Sequence, residues 1–229
     1  KWLGSKTGQG FYKKEGKDIL TLDLDTLTYR PNKKASFATL ELTKTIEKPI
    51  DRFKVLVTGK DKAGDFYRKN FASMFQYCSN RIPEITDAFY KIDDAMKAGF
   101  GWENGPFEIW DAIGVEKGIE LMKAEGYQPA SWVTDMVASG TTSFYSIKDG
   151  ATHFYSISNK KVEKILGQDA FIILNNIRES KKIWNNSDAI ITDLGDGIIN
   201  LEFTSKMNSI GAGVLQGINK AIDIGEKDY

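Results

Sequence analysis

The stretch Met96–Gly114 reads MKAGFGWENGPFEIWDAIG, with four glycines, one proline and two tryptophans in nineteen residues. That is too much punctuation for one helix or strand, and it parses as a series of helix boundaries. Asp93 can cap a short helix running through Lys97, which Gly99 and Gly101 end; Pro106 then occupies the first turn of a second helix that runs to Ala112 and closes at Gly114. Upstream, Phe71, Phe75, Cys78, Ile82, Ile85 and Phe89 recur at steps of four, three, four, three and four, as one buried helical stripe would. Pro83 interrupts it, because proline removes a backbone donor and clashes with the preceding turn, so the helix kinks or restarts near Ser79–Arg81 and frees carbonyls at Ser79 or nearby. Arg81 and Glu84 can pair across that break. Downstream, Val115–Glu125 and Ala130–Ser139 complete a bundle of about five helices.

The flanks lean towards β-structure. Between Lys17 and Gly59, the runs Ile19–Leu24, Phe37–Leu42 and Phe53–Thr58 alternate with Pro31 and Pro49, as in an extended connector. Further on, Ser143–Ile147 and His153–Ser158 flank a Lys148-Asp149-Gly150 turn, and Ala189–Asp193 and Gly197–Thr204 flank Leu194–Asp196. Ile210–Ile224 reads as an amphipathic helix with Val214, Leu215, Ile218 and Ile222 on one side. One hairpin and one helix cannot bury their own faces, so this segment is expected to dock on the helices or on another copy.

Composition excludes several classes. The 229 residues carry 31 basic and 31 acidic side chains, so no global field draws the chain to nucleic acid or an anionic membrane. One cysteine, Cys78, rules out an intrachain disulfide or a multi-cysteine metal site and suits a cytoplasmic setting. No apolar run of about 18 residues occurs, so neither a membrane span nor a leader is expected within these residues, and a first residue other than Met is expected of a piece of a longer chain. Gly99, Gly101 and Gly105 form a loose GxGxxxG, but a helix precedes them where a dinucleotide fingerprint needs a strand, so no cofactor is expected there. His153 lacks a partner histidine or cysteine and reads as structural. Cys78 reads as an inert core thiol. Phe100, Trp102, Phe107 and Trp110 are expected to fill the core between helices.

Several motifs together carry a resemblance. Asn80-Arg81, Ile92-Asp93-Asp94-Ala95-Met96, Gly99-Phe100-Gly101, Gly105-Pro106-Phe107-Glu108 and Asp111-Ala112-Ile113-Gly114 resemble the C-terminal helical domain of 3-hydroxyacyl-CoA dehydrogenases. Leu3–Tyr12, LGSKTGQGFY, is similar to the signature that ends such a domain. Asp196–Phe203 with Asn208 and the helix from Ile210 is similar to the opening of the crotonase fold. The resemblance implies a mainly α chain: a helical domain of the 6-phosphogluconate-dehydrogenase C-terminal type with β-leaning connectors. Residues 1–14 would be the tail of a first copy, 15–64 an extended connector, 65–147 a second copy, 148–187 a connector and 188–229 the start of an enoyl-CoA hydratase.

The parent so implied is a fused β-oxidation enzyme that uses NAD on acyl-CoA substrates, with its Rossmann and remaining crotonase domains outside these residues. Within them no catalytic residue, metal ligand or bound cofactor is expected. Asn80 is the candidate for substrate contact, because the matching asparagine in family members points to the substrate carbonyl; its competing role is to satisfy carbonyls freed by Pro83. The helical domain mediates dimerisation in single-copy relatives, so self-association is expected. The rival reading is a free-standing acyl-CoA-binding or protein-interaction module that uses a Gly99–Gly114 pocket.

Overall fold

The computed structural model describes residues 2–229, and the chain divides into two units between Tyr67 and Arg68. In the first unit, β1 (Tyr12–Glu15), β2 (Asp18–Leu22) and β3 (Tyr29–Pro31) form an antiparallel sheet in that order. Gly16, in the left-handed region, makes the first turn. The second is held by Asp23, whose Oδ1 accepts the Asp25 and Thr26 N–H groups while Oδ2 takes the Arg30 guanidinium at 3.1 Å.

Two helices follow where β-leaning runs were expected, α1 (Ala38–Thr43) and α2 (Pro49–Thr58). The correction covers both Phe37–Leu42 and Phe53–Thr58. Pro49 is the first residue of α2, where a missing N–H costs nothing. Asp61, at the start of α3 (Lys62–Asn80), accepts the Thr39 N–H at 3.0 Å, the Thr39 hydroxyl at 2.8 Å and the Gly64 N–H at 3.0 Å. One carboxylate thereby serves the first turns of α1 and α3, and these contacts lower its pKa to about 2.

The second unit starts within α3 and continues through α4 (Tyr90–Phe100), α5 (Pro106–Ile113), α6 (Val115–Ala124) and α7 (Ser131–Ala138). The last three match the sequence reading to within two residues. The apolar stripe does not continue on one helix: α3 stops at Asn80 and a turn region containing a cis Ile82–Pro83 peptide leads into α4. Phe71, Phe75, Ile82 and Phe89 are buried as expected, but Ile85 is 64% exposed because the turn rotates it out of the stripe.

Aromatic stacking makes the core. The rings of Phe75 and Trp110 lie 4.6 Å apart and 9° from parallel, while Phe89, Phe107, Trp132 and Phe144 meet at 5.0–6.0 Å. Trp110 Nε1–H donates to the Val115 carbonyl at 3.0 Å, so the buried indole keeps its hydrogen bond. Gly118 allows this; a β-carbon there would stand 2.0 Å from that nitrogen. Phe107 and Trp110 fill the core as expected, whereas Trp102 is exposed and Phe100 is 76% exposed. Both sit at the open end of α4, where Gly101 turns the chain away in the left-handed conformation.

Two further antiparallel sheets follow in chain order: β4 (Tyr145–Lys148), β5 (Ala151–Ser156) and β6 (Lys161–Lys164), then, after the short α8 (Leu174–Ile177), β7 (Lys182–Asn185), β8 (Ala189–Gly195) and β9 (Ile198–Phe203). Asp149-Gly150 and Asp196-Gly197 turn the two expected hairpins with positive φ at both residues. The final helix, α9 (Ala212–Asp228), lies on the last sheet, not on the helices, with Val214, Gly217 and Ile224 buried. Gly217 permits the approach, since a β-carbon there would lie 2.8 Å from Ala189 Cβ. Asn186 ties the two together: its carbonyl accepts the Asp188 and Ala189 N–H groups at 2.8 Å and its amide donates to the Gly213 carbonyl at 2.8 Å. Leu215 and Ile222, expected inside, are exposed, because the sheet covers the face one residue away.

This packing predicts that Trp110→Ala removes about 3–5 kcal/mol of stability in a urea titration, as other large-to-small core changes do. A loss below about 1 kcal/mol would place Trp110 outside the load of the core.

Candidate functional site

The residues singled out from sequence meet at the end of α3. Ser79 Oγ–H donates to the Phe75 carbonyl at 2.7 Å, and the Asn80 side-chain amide donates to the Gln76 carbonyl at 2.8 Å. The Ser79 carbonyl accepts the Trp132 indole N–H at 3.0 Å, and the Cys78 carbonyl accepts the Arg81 N–H at 3.3 Å. The Ser79 carbonyl, four residues before Pro83, is thus taken up by a side chain, while exposed Asn80 reaches back to a carbonyl within α3 itself. Arg81 pairs with Glu84 at 2.7 Å and lies 5.8 Å from the Tyr77 ring centroid. Its Nε is sealed from solvent and has no hydrogen-bond partner among the described residues.

Beside them lies an open groove of about 550 Å³ lined by residues between Tyr77 and Met96, among them Arg81, Ile85, Lys91 and Ile92. It is formed by α3, the following turn and α4, not by the Gly99–Gly114 stretch. Trp102, Phe107 and Trp110 do not line it. Cys78 does, but burial and, after it, the Asp93 carboxylate push its thiol up to about 11, away from reactivity. His153 lies in β5, remote in sequence from all of these, half-buried, its Nδ1 3.1 Å from the Ala151 carbonyl oxygen.

A second cluster was only partly foreseen. Asp93, expected to cap its own helix, sits inside the first turn of α4 and caps the next one: Oδ1 accepts the Phe107 N–H at 2.9 Å and Oδ2 the Glu108 N–H at 3.0 Å. The α5 N-cap position is Gly105, which has no side chain to offer, and a β-carbon there would fall 2.3 Å from Asp93 Cβ. Glycine is therefore required by the incoming carboxylate, and a tethered anion already occupies the helix N-terminus where the loose glycine motif would have had to hold a phosphate. Glu108 completes the cap by accepting the Gly105 N–H at 2.8 Å, with Lys97 2.7 Å from its other oxygen.

Tyr145 joins this cap to a second, half-buried carboxylate. Its hydroxyl donates to Asp93 at 2.8 Å and its backbone N–H to Asp111 at 2.8 Å, while the Phe144 N–H reaches the other Asp111 oxygen at 2.7 Å. Burial pushes Asp93 up to about 6 and Asp111 up to about 7, against the pull of these donors. Burial and the nearby Asp93 raise the Tyr145 phenol further from ionisation. The role of Phe144 and Tyr145 carried no local signal, since their partners lie 33 to 52 residues away. Asp111 did carry one: it is a carboxylate among the buried apolar residues Ile109, Trp110 and Ile113. Chemically the cluster accepts backbone hydrogens and fixes helix ends. Among the described residues no group of three or more metal-ligating side chains converges.

The second unit is thus a bundle of short helices joined by carboxylate caps, with Asn80-Arg81 at the break after α3. Residues 53–150 match the family described as 3-hydroxyacyl-CoA dehydrogenase, C-terminal domain. The whole chain aligns at 38% identity over 229 residues with a Bacillus subtilis (strain 168) protein that bears the name 3-hydroxyacyl-CoA dehydrogenase, of which it spans 29%. It is 22% identical over 232 residues to a protein of Rickettsia felis named as a fatty acid oxidation complex trifunctional enzyme, spanning all of this chain and 28% of that one. A protein of the same name from Rickettsia prowazekii is 23% identical over 235 residues, spanning 99% and 28%. The chain thus covers under a third of the length of these curated relatives. No solved structure matches it.

Asp93 and Asp111 together predict a pH dependence. Both folded values lie above the ordinary 3.8, so between about pH 4 and 7 the folded state holds more protons than the unfolded one, and the stability this pair contributes falls as pH rises through that window. Asp61 acts in the opposite sense below it, its contribution being lost as pH falls from 3.8 through about 2. Thermal melts should therefore peak near pH 4–5, and Asp111→Asn should flatten the alkaline side. An unchanged slope in that variant counts against the assignment. Asp93→Ala leaves three donors unpaired at about 1–3 kcal/mol each, so it should cost several kcal/mol.

Proposed function

We propose that this chain is an assembling and stabilising segment of a fatty-acid β-oxidation 3-hydroxyacyl-CoA dehydrogenase, and that taken alone it does not turn over substrate. The observation that carries this reading is the use made of its polar groups. Asp93, Asp111 and Glu108 accept hydrogens from the chain itself, and the Asn80 amide is engaged by the Gln76 carbonyl. Hydride transfer needs a nicotinamide held against the substrate carbon and a tuned base at its hydroxyl; hydration needs oriented donors at a thioester oxygen and carboxylates at a water. In the parent these would come from a nicotinamide-binding Rossmann domain and the rest of a crotonase domain, with NAD and an acyl-CoA as its ligands.

On this reading residues 1–14 close a first helical domain, 65–147 form a second, and 188–229 open the crotonase domain. The hairpin of β8 and β9 followed by α9 has the strand-and-helix order that such an opening requires. The relatives' names, a dehydrogenase and trifunctional enzymes of fatty acid oxidation, support the same assignment. The acyl-CoA-binding alternative would use a Gly99–Gly114 pocket, whereas the groove beside Asn80 lies along residues 77–96.

Spectrophotometric assays of the 229-residue chain should show no oxidation of NADH with acetoacetyl-CoA and no hydration of crotonyl-CoA. Measurable turnover of either would overturn the reading. In a protein that also carries the Rossmann domain, Asn80→Ala should lower kcat/KM by less than about tenfold, or roughly 1.4 kcal/mol. A larger drop with the fold intact would make Asn80 a substrate contact.

A further inference from the structure

The helix α8 is too short to hold itself. Its four residues, Leu174–Ile177, fall far below the length at which a helix persists in water, and none of the four is fully buried. Contacts from outside must therefore fix it, and they come from two separate sheets. On one side stands Thr152 of β5. The Asn176 amide donates to its hydroxyl at 2.8 Å, its N–H donates to Gln168 Oε1 at 3.0 Å, and its carbonyl accepts the Ile165 N–H at 3.0 Å. Ile177 lies against the neighbouring turn so closely that a β-carbon on Gly150 would stand 3.1 Å from its Cγ2.

The other side is the last sheet. Arg178, the residue after α8, donates from Nε and Nη2 to the two oxygens of Glu202 in β9, at 3.0 and 2.5 Å, the side chains being 24% and 22% exposed. Such a bidentate pair fixes orientation as well as distance, which a single point charge does not. Three residues on, the Lys181 carbonyl accepts the Asp193 N–H of β8 at 2.9 Å. We propose that α8 is a clasp: it is ordered only while both sheets hold it, and while ordered it makes the β4–β6 sheet and the β7–β9 sheet with α9 open and close as one body. Arg178 closes it on one side and Thr152 on the other. On the reading of residues 188–229 given above, the clasp sets how the hydratase opening stands against the preceding sheet; the coupling itself belongs to this chain and does not depend on that reading.

Amide hydrogen exchange of the 229-residue chain, read by mass spectrometry, tests it. A side chain that merely stabilised its own sheet would loosen that sheet alone, whereas a clasp carries the loss across. Arg178→Met should speed exchange at least about tenfold at Asp149–Thr152 and in α8 as well as in β9, and Thr152→Val should do so at Ile198–Phe203. Both should leave α5 and the helical circular dichroism unchanged. Arg178→Lys, which keeps the charge and loses the fork, should fall between the parent and Arg178→Met. In the Arg178→Met and Thr152→Val double variant the effects should not add, since either change alone opens the clasp. Faster exchange confined to the substituted residue's own sheet, or strict additivity in the double variant, would overturn the clasp. So would α8 amides that exchange in the parent chain as fast as an unfolded peptide.

Discussion

The carboxylate of Asp93 is the constraint on which the second unit depends. A helix N-terminus leaves several N–H groups without partners, and the usual remedy is a polar side chain at the residue before it. Here that residue is Gly105, and the remedy is brought by another helix. The substitution of a distant cap for a local one turns a helix end into a joint: α4, α5 and the start of β4 meet at a single buried side chain. Its burial is costly, and only the convergence of three donors makes it tolerable.

Around this joint the aromatic core is set by similar reciprocal demands. Trp110 must stack on Phe75, keep its indole hydrogen bonded and clear α6, and it does all three because Gly118 is bare. Trp132 performs the matching service at the end of α3, where its indole takes the Ser79 carbonyl left over by the helix break. Polar edges of aromatic residues thus repair backbone defects that the short helices create. The resulting bundle is aromatic where it is buried and leaves apolar side chains such as Tyr77, Ile85 and Phe100 exposed around the turn before α4 and at its end.

Much of this was legible in the residues. Glycine and proline placed the ends of α5 and α6, and the Asp-Gly turns placed both expected hairpins, because these signals act within a few residues. What failed was the reading of runs whose type is decided from afar. Phe37–Leu42 and Phe53–Thr58 have strand-like composition, yet Pro49 starts one helix and Asp61 anchors the other through Thr39, 22 residues away. The stripe through Phe89 had the right period but crossed a break, so Ile85 turned outward. For the site, Asn80 and the Arg81–Glu84 pair were located from Pro83 and its neighbours. The capping by Asp93 went to the wrong helix, and Tyr145 was missed, since hydrogen bonds over 14 to 52 residues leave no periodic trace.

The length of the link between α4 and α5 follows from the Asp93 cap. A carboxylate in the first turn of one helix meets the first turn of the next 14 and 15 residues later, so the intervening segment, Gly101 to Gly105 included, behaves as a measured spacer. Adding or deleting one residue there would carry the Phe107 and Glu108 amides out of reach, while leaving every side chain in place. Related chains should accordingly keep the count between Asp93 and Phe107 constant even where the residues between them have changed.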